Sequence, residues 1–161
     1  MESYHVRNQS TEMIIHPERL EGVDIRVVSC VEQLADKVMS RLNRDLIIVF
    51  GYRSLEQQDK LYQQGRTLPG PIVTNAKAGQ SPHNFECAVD CWVMDEHSKN
   101  IDWNNSDYKN IARVHAASVS YKIVWGGNFH TIIDFPHWEL KDWRLVRAKV
   151  QKIIPNVKTM N

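Results

Sequence analysis

"HNFECAVDCW", residues 83 to 92, packs metal-binding side chains into a run that can be either helix or strand. It offers five side chains that can hold a metal: His83, Glu86, Cys87, Asp90 and Cys91. On a helix, the spacing of seven between His83 and Asp90 would put both on one face. The Val and Trp content of 87 to 93 argues instead for a strand, where an odd spacing puts them on opposite faces. The reading is therefore a loop carrying His83 after Pro82, then a strand carrying Asp90, with chain curvature bringing the two together. Cys87 and Cys91 alternate with Asp90 and are expected to face the core as small hydrophobes.

Working outward, "LIIVFGY" (46 to 52) is a β-branched apolar run that predicts a buried strand. Ser54 and Gln57 then form a capping-box pattern opening a helix, which Gly65 ends. The Gly-, Pro- and Asn-bearing stretch that follows, through Pro82, predicts a long loop of the kind that is often functional. Upstream, "DIRVV" (24 to 28) reads as a short strand. Ser29 and Glu32 cap a helix over 30 to 43, with Val31, Leu34, Ala35, Val38 and Leu42 at helical spacing. The first twenty residues read as irregular, with Pro17 in a turn. Downstream, Ser106 is expected to cap a helix over 107 to 120. "KIVWGG" (122 to 127) predicts a strand entering a glycine turn, and a basic amphipathic helix is expected over 141 to 153. Without a regular βαβ rhythm, the fold class is α+β: a small antiparallel sheet flanked by helices.

A zinc site of the catalytic kind takes three protein ligands. His83 and Asp90 form the first pair, and His137 in "DFPHWEL" (134 to 140) is the best third. Pro136 disfavours a helix there, so Asp134 and His137 belong to a turn entering a strand. A carboxylate close to the metal without binding it can take a proton from the attacking water. The remaining histidines, His5, His16, His97, His115 and His130, read as surface or packing residues.

Length and composition bound the rest. The chain has 161 residues and a formal net charge of +1. That fits one domain with its own core and gives no sign of general nucleic-acid binding. Three cysteines without a C-x-x-C pair speak against a disulfide framework or a zinc ribbon, and for reduced thiols. No apolar run reaches membrane-spanning length, and the N-terminal stretch lacks the pattern of a cleaved signal peptide. The expectation is a single catalytic domain over 1–161 with no separate wall-binding domain. It is expected to be monomeric, made in the cytoplasm and not inserted in a membrane.

"SPHNFECAVD" (81 to 90) resembles the S-x-H-x-x-G-x-A-x-D motif of the zinc D-alanyl-D-alanine metallopeptidases, and "DFPHWE" resembles their second motif. "GYRS" (51 to 54), "LYQQGRTLPGPIVTNAKAGQS" (61 to 81) and "WGGNF" (125 to 129) extend the resemblance to the L-alanyl-D-glutamate endopeptidases. These occur among bacteriophage endolysins and Bacillus-type wall enzymes. The resemblance spans roughly residues 16 to 140 and implies a hedgehog-like fold with a zinc cleft over the sheet. It implies one Zn2+ per chain on His83, Asp90 and His137, with Asp134 as acid/base. It assigns Arg53 to oxyanion charge and Ser81 to the substrate groove. The implied substrate is the peptidoglycan stem peptide, cut by a phage or prophage endolysin that reaches the wall after a holin opens the membrane. The alternatives are a D,D-carboxypeptidase or dipeptidase with the same zinc chemistry, and a non-catalytic zinc-stabilised binding module like the hedgehog domain. The departure is Glu86, where the motif has glycine. A glutamate there either crowds the site with a competing carboxylate or points to solvent from a backbone of ordinary φ. The basic residues of the last helix, Lys141, Arg144, Arg147, Lys149 and Lys152, either assist approach to an anionic wall or form a solvated face.

Overall fold

A computed structural model of the chain describes residues 13–95, 100–119, 122–130 and 132–153. Five strands form one sheet: β1 (Ile14–Ile15), β2 (Leu46–Phe50), β3 (Ala88–Val93), β4 (Ile123–Trp125) and β5 (His137–Leu140). Their order is β1-β2-β3-β5-β4. The β1–β2 pair is parallel and the other pairs are antiparallel, so the sheet is mixed at one edge. Helices α1 (Ile25–Leu42), α2 (Leu55–Gln63), α3 (Ser106–Ser118) and α4 (Trp143–Ile153) complete the α+β architecture.

The period of two along β3 and β5 deals side chains to two faces. Val89, Cys91 and Val93 join Trp138 and Leu140 in the core, where α1 and α3 pack. Asp90, His137 and Glu139 take the other face. Cys87 and Cys91 are buried and free, as expected, and so is Cys30: Cys87 donates to the Phe85 carbonyl, and Cys91 meets the Tyr108 hydroxyl of α3.

The "DIRVV" strand expected over 24 to 28 is instead the start of α1. Asp24 is its N-cap, accepting from the Arg26 amide at 3.0 Å. Val27, Val31, Leu34, Ala35 and Val38 are all buried along one stripe, so tertiary burial overrides the β-branched propensity of the first turn. Ser29 and Glu32 lie within the helix, where their spacing does no capping. Likewise Asn105, not Ser106, caps α3, its side chain accepting from the Tyr108 amide at 2.7 Å, and the helix ends at Ser118. At Ser54 the expected capping box does form, with both reciprocal bonds present. The irregular start contains β1 and a 3-10 turn, Pro17–Leu20, whose Arg19 donates to the Ile48 and Val49 carbonyls. His5 and His97 lie outside the described residues.

Candidate metal centre and its cleft

Strand pairing builds the site. Asp90 on β3 lies directly opposite His137 on β5 and opposite Phe50 on β2. The register shifts between Ile48 and Phe50, a bulge of the kind that re-aims side chains beside active sites. His83 comes from a 3-10 turn, Pro82–Phe85, just before β3. That turn supplies the curvature the sequence demanded: His83 Nε2 stands 3.3 Å from both Asp90 Oδ1 and His137 Nδ1. His137 Nδ1 is 2.9 Å from the same carboxylate oxygen.

These donors suit zinc. Ligand atoms at ~2.0–2.2 Å from a tetrahedral ion sit roughly 3.3–3.6 Å apart, so small outward movements would admit it. The other ring nitrogens are already engaged. His83 Nδ1 is 2.8 Å from the Gly51 carbonyl, and His137 Nε2 is 3.0 Å from Glu139 Oε2. Such outer bonds fix each ring and leave the opposite nitrogen for the metal. Burial opposes a charged His137, but its bonds to Asp90 and Glu139 push its pKa up to about 10. Burial likewise opposes charge on Asp90, yet His83 and His137 hold it far below the usual carboxylate range.

Asp134 sits at the mouth of the same cleft, which has a volume of about 530 Å3 and is also lined by Arg53 and Ser81. Its surface is open to solvent, but surrounding atoms crowd its carboxyl. That crowding and the Asp90 charge raise its pKa, against the pull of His137, His83 and Arg53. Asp134 is absent from the cluster of three that can converge on an ion. The Arg53 guanidinium donates to Gln58 Oε1 at 3.1 Å and lies 3.7 Å from Asp90 Oδ2. Its Nε is buried without a hydrogen-bond partner, closed off from solvent. Burial pulls the Arg53 pKa down, against the charges of Asp90 and Asp134.

Glu86 is exposed to solvent, as one of the two expectations had it, but not from a backbone of ordinary φ. Its φ is 59° and ψ 22°, so it is left-handed, not ordinary. Its carboxylate packs over Gly22, away from the ligand set, and the Glu86 carbonyl accepts from the Asp24 amide at 2.8 Å. The position requires positive φ, which explains the motif's glycine without any crowding of the metal.

Several supports escaped sequence reading. Glu139 and the Gly51 carbonyl orient the ligands. Asn84 donates to the Arg53 carbonyl at 2.8 Å and accepts from the Gly79 amide at 3.0 Å, tying the arginine segment to the long loop. Fully buried Gln58 joins Arg53 to the Ala76 carbonyl. Gly126 lies so close to the Asp134 carbonyl and to His137 Cβ that a side chain there would displace the 134–137 turn. Only Glu139 carried a signal, its period-two offset from His137.

The profile of the VanY family, described as D-alanyl-D-alanine carboxypeptidase, matches residues 21–139. The chain belongs to the VanY family. That span includes both ligand motifs and Arg53. A curated relative, the peptidoglycan L-alanyl-D-glutamate endopeptidase CwlK of Bacillus subtilis (strain 168), is 34% identical over 105 residues. The match covers 60% of this chain and 60% of that protein. The L-Ala D-Glu endopeptidase ChiX of Serratia marcescens shares the fold with a TM-score of 0.55 and 23% identity, over 86% of this chain and 98% of that one. The LD-carboxypeptidase LdcB follows at 0.50 and 16%, over 80% and 64%. His83, Asp90 and His137 all sit within the matched span.

Proposed function

We propose that this chain is a zinc-dependent peptidoglycan hydrolase that cuts the L-alanyl–D-glutamate bond of the stem peptide. The carrying observation is the convergence of His83, Asp90 and His137 on one point, in a cleft that also holds Asp134 and Arg53. The likeness to CwlK supports the choice of bond. His83, Asp90 and His137 would hold one Zn2+, which when bound supplies Lewis acidity to the scissile carbonyl and to water. Asp134 takes the proton of the attacking water and delivers it to the leaving amine; its raised pKa suits both halves of that task. Arg53, in the cleft lining, offers its fixed charge to the developing oxyanion. Ser81, buried in the cleft wall, faces the substrate.

The chain acts as a single catalytic unit and a monomer, in the setting of a phage or prophage endolysin reaching the wall after holin release. The motif resemblance supports that setting, and expression in a bacterial host with and without a holin tests it: lysis without the holin would overturn it. The family description favours a second reading, D,D-carboxypeptidase. Digestion of purified muropeptides separates the two. A new L-Ala C-terminus is expected, and release of free D-Ala in its place would overturn the endopeptidase reading. Asp134→Ala should abolish cleavage, by about 10²-fold or more, while metal content stays near one ion per chain. Retained cleavage would remove Asp134 from the base role.

A further inference from the structure

A second groove opens beside the catalytic cleft, between the β2–α2 junction and the turn at Leu68 and Pro69. Its volume is about 680 Å3, and it shares Phe50, Arg53, Leu61 and Gln64 with the cleft, so the two are continuous. Phe50, Tyr52 and Leu68 present large apolar surfaces here, 48%, 51% and 44% exposed. Gln57, Gln63 and Gln64 add amide side chains to the lining, and no carboxylate lines it. The lone ammonium, Lys60, is paired with Glu56 at 2.9 Å. Arg53, the groove's other cation, lies 3.7 Å from Asp90 Oδ2, so both cations face carboxylates outside the lining. A groove of flat apolar faces and amides, its cations so engaged, suits a neutral ligand with C–H faces and hydroxyl or acetamido edges.

We propose that this groove is a saccharide subsite that seats the N-acetylated amino sugar carrying the stem peptide. The assignment rests on the endopeptidase reading above. In such a substrate a single alanine separates the scissile carbonyl from the lactyl ether of the sugar. The alanine spans at most ~3.6 Å and the lactyl group adds about as much again, so the sugar ring must lie against a wall of the cleft or just beyond it. Another groove adjoins the cleft, but it shares only Phe50 with it and is lined by Glu18 and Glu21. Phe50 stands as the ridge between cleft and saccharide groove, its ring 5.0 Å beneath the Arg53 guanidinium. Tyr52 lies beyond that ridge and lines this groove and the Glu18 groove, but not the catalytic cleft.

The test uses the full zinc-loaded chain and two substrates: a disaccharide–tetrapeptide, and the same tetrapeptide released from its sugar. The wild type should cut the sugar-bearing substrate with a higher kcat/KM. Tyr52→Ala should lower that preference about tenfold through KM, the scale of one lost aromatic contact, and leave the sugar-free peptide unaffected. In parallel, the peptide-free disaccharide is titrated against the wild type and followed by NMR. Shifts at Phe50, Tyr52 and Leu68 support the subsite. Equal losses on both substrates, or no shifts at these residues, overturn it. If the wild type cuts neither substrate at the L-Ala–D-Glu bond, the endopeptidase reading falls, and the disaccharide titration alone still decides the groove.

Discussion

At the scale of single residues, the proposed ligands depend on neighbours that lie outside the cluster of three. Glu139 holds His137 through Nε2 and leaves Nδ1 facing Asp90 and His83. Removing the carboxylate frees the ring to rotate and weakens its basicity. Glu139→Ala should therefore weaken zinc binding about 10- to 100-fold, read by competition with a chromophoric chelator. Unchanged affinity would mean that strand pairing alone orients His137. Glu86 makes the opposite point, that a departure from a motif can be conformational and not chemical. An L-residue with φ of 59° carries left-handed strain of ~1–2 kcal/mol, and glycine returns part of that as unfolded-chain entropy. Glu86→Gly should stabilise the fold by about 0.5–1 kcal/mol, with zinc affinity unchanged. A lower denaturant midpoint would show that the carboxylate's packing over Gly22 outweighs the strain.

At the scale of elements, the cleft is a sheet face with a loop folded against it. Arg66 holds that loop: its guanidinium donates to the Thr74 carbonyl at 3.1 Å and to Asn75 Oδ1 at 3.0 Å, and sits 4.0 Å over the Tyr62 ring. Thr74, Asn75 and Ala76 line the cleft. With one such clamp worth about 1 kcal/mol, Arg66→Ala should raise KM about fivefold with little change in kcat, and protease should nick the loop faster. A fall in kcat alone would place Arg66 with the chemistry. Elements were legible in the sequence where local and tertiary preferences agree, as in the Ser54–Gln57 box and the alternating strand through Asp90. They were misread where the two conflict. The β-branched residues of "DIRVV" suit a strand locally, but burying Val27 with Val31 and Leu34 along one stripe makes the segment a helix. Ser29 and Glu32 matched a capping pattern that also occurs inside helices, and the true cap, Asp24, stood inside the run taken for a strand. The cluster of His83, Asp90 and His137 was legible by residue type and resemblance. Their supports were not, because Gly51, Gln58, Asn84 and Gly126 act through contacts far apart in sequence, with no local signature.

At the scale of the whole molecule, the sheet separates chemistry from stability. One face carries the ligands; the other carries the core and one buried histidine. His115 on α3 is fully buried against Trp138, with ring centroids 5.5 Å apart. Its Nε2 lies 2.8 Å from the Cys30 carbonyl, and its Nδ1 lies 2.9 Å from Lys37 Nζ. A neutral ring satisfies both, donating from Nε2 and accepting at Nδ1 from the ammonium. A protonated ring would set two donors against each other. Burial, reinforced by the Lys37 charge and opposed by the Cys30 carbonyl, lowers the folded-state pKa below its ordinary 6.5. The unfolded chain therefore binds a proton that the folded chain refuses. The stability tied to neutral His115 is fully present above the unfolded value and falls as pH drops below it, toward the folded value. Over that window the slope approaches about 1.4 kcal/mol per pH unit. His115→Gln removes the titration while keeping a donor and an acceptor. The wild type should thus be the more stable of the two at pH 7.5 and lose that lead on descent to pH 5, read from urea midpoints at each pH. A lead that holds constant across the range would mean that His115 titrates alike folded and unfolded, and that α1 and α3 yield to admit its charge.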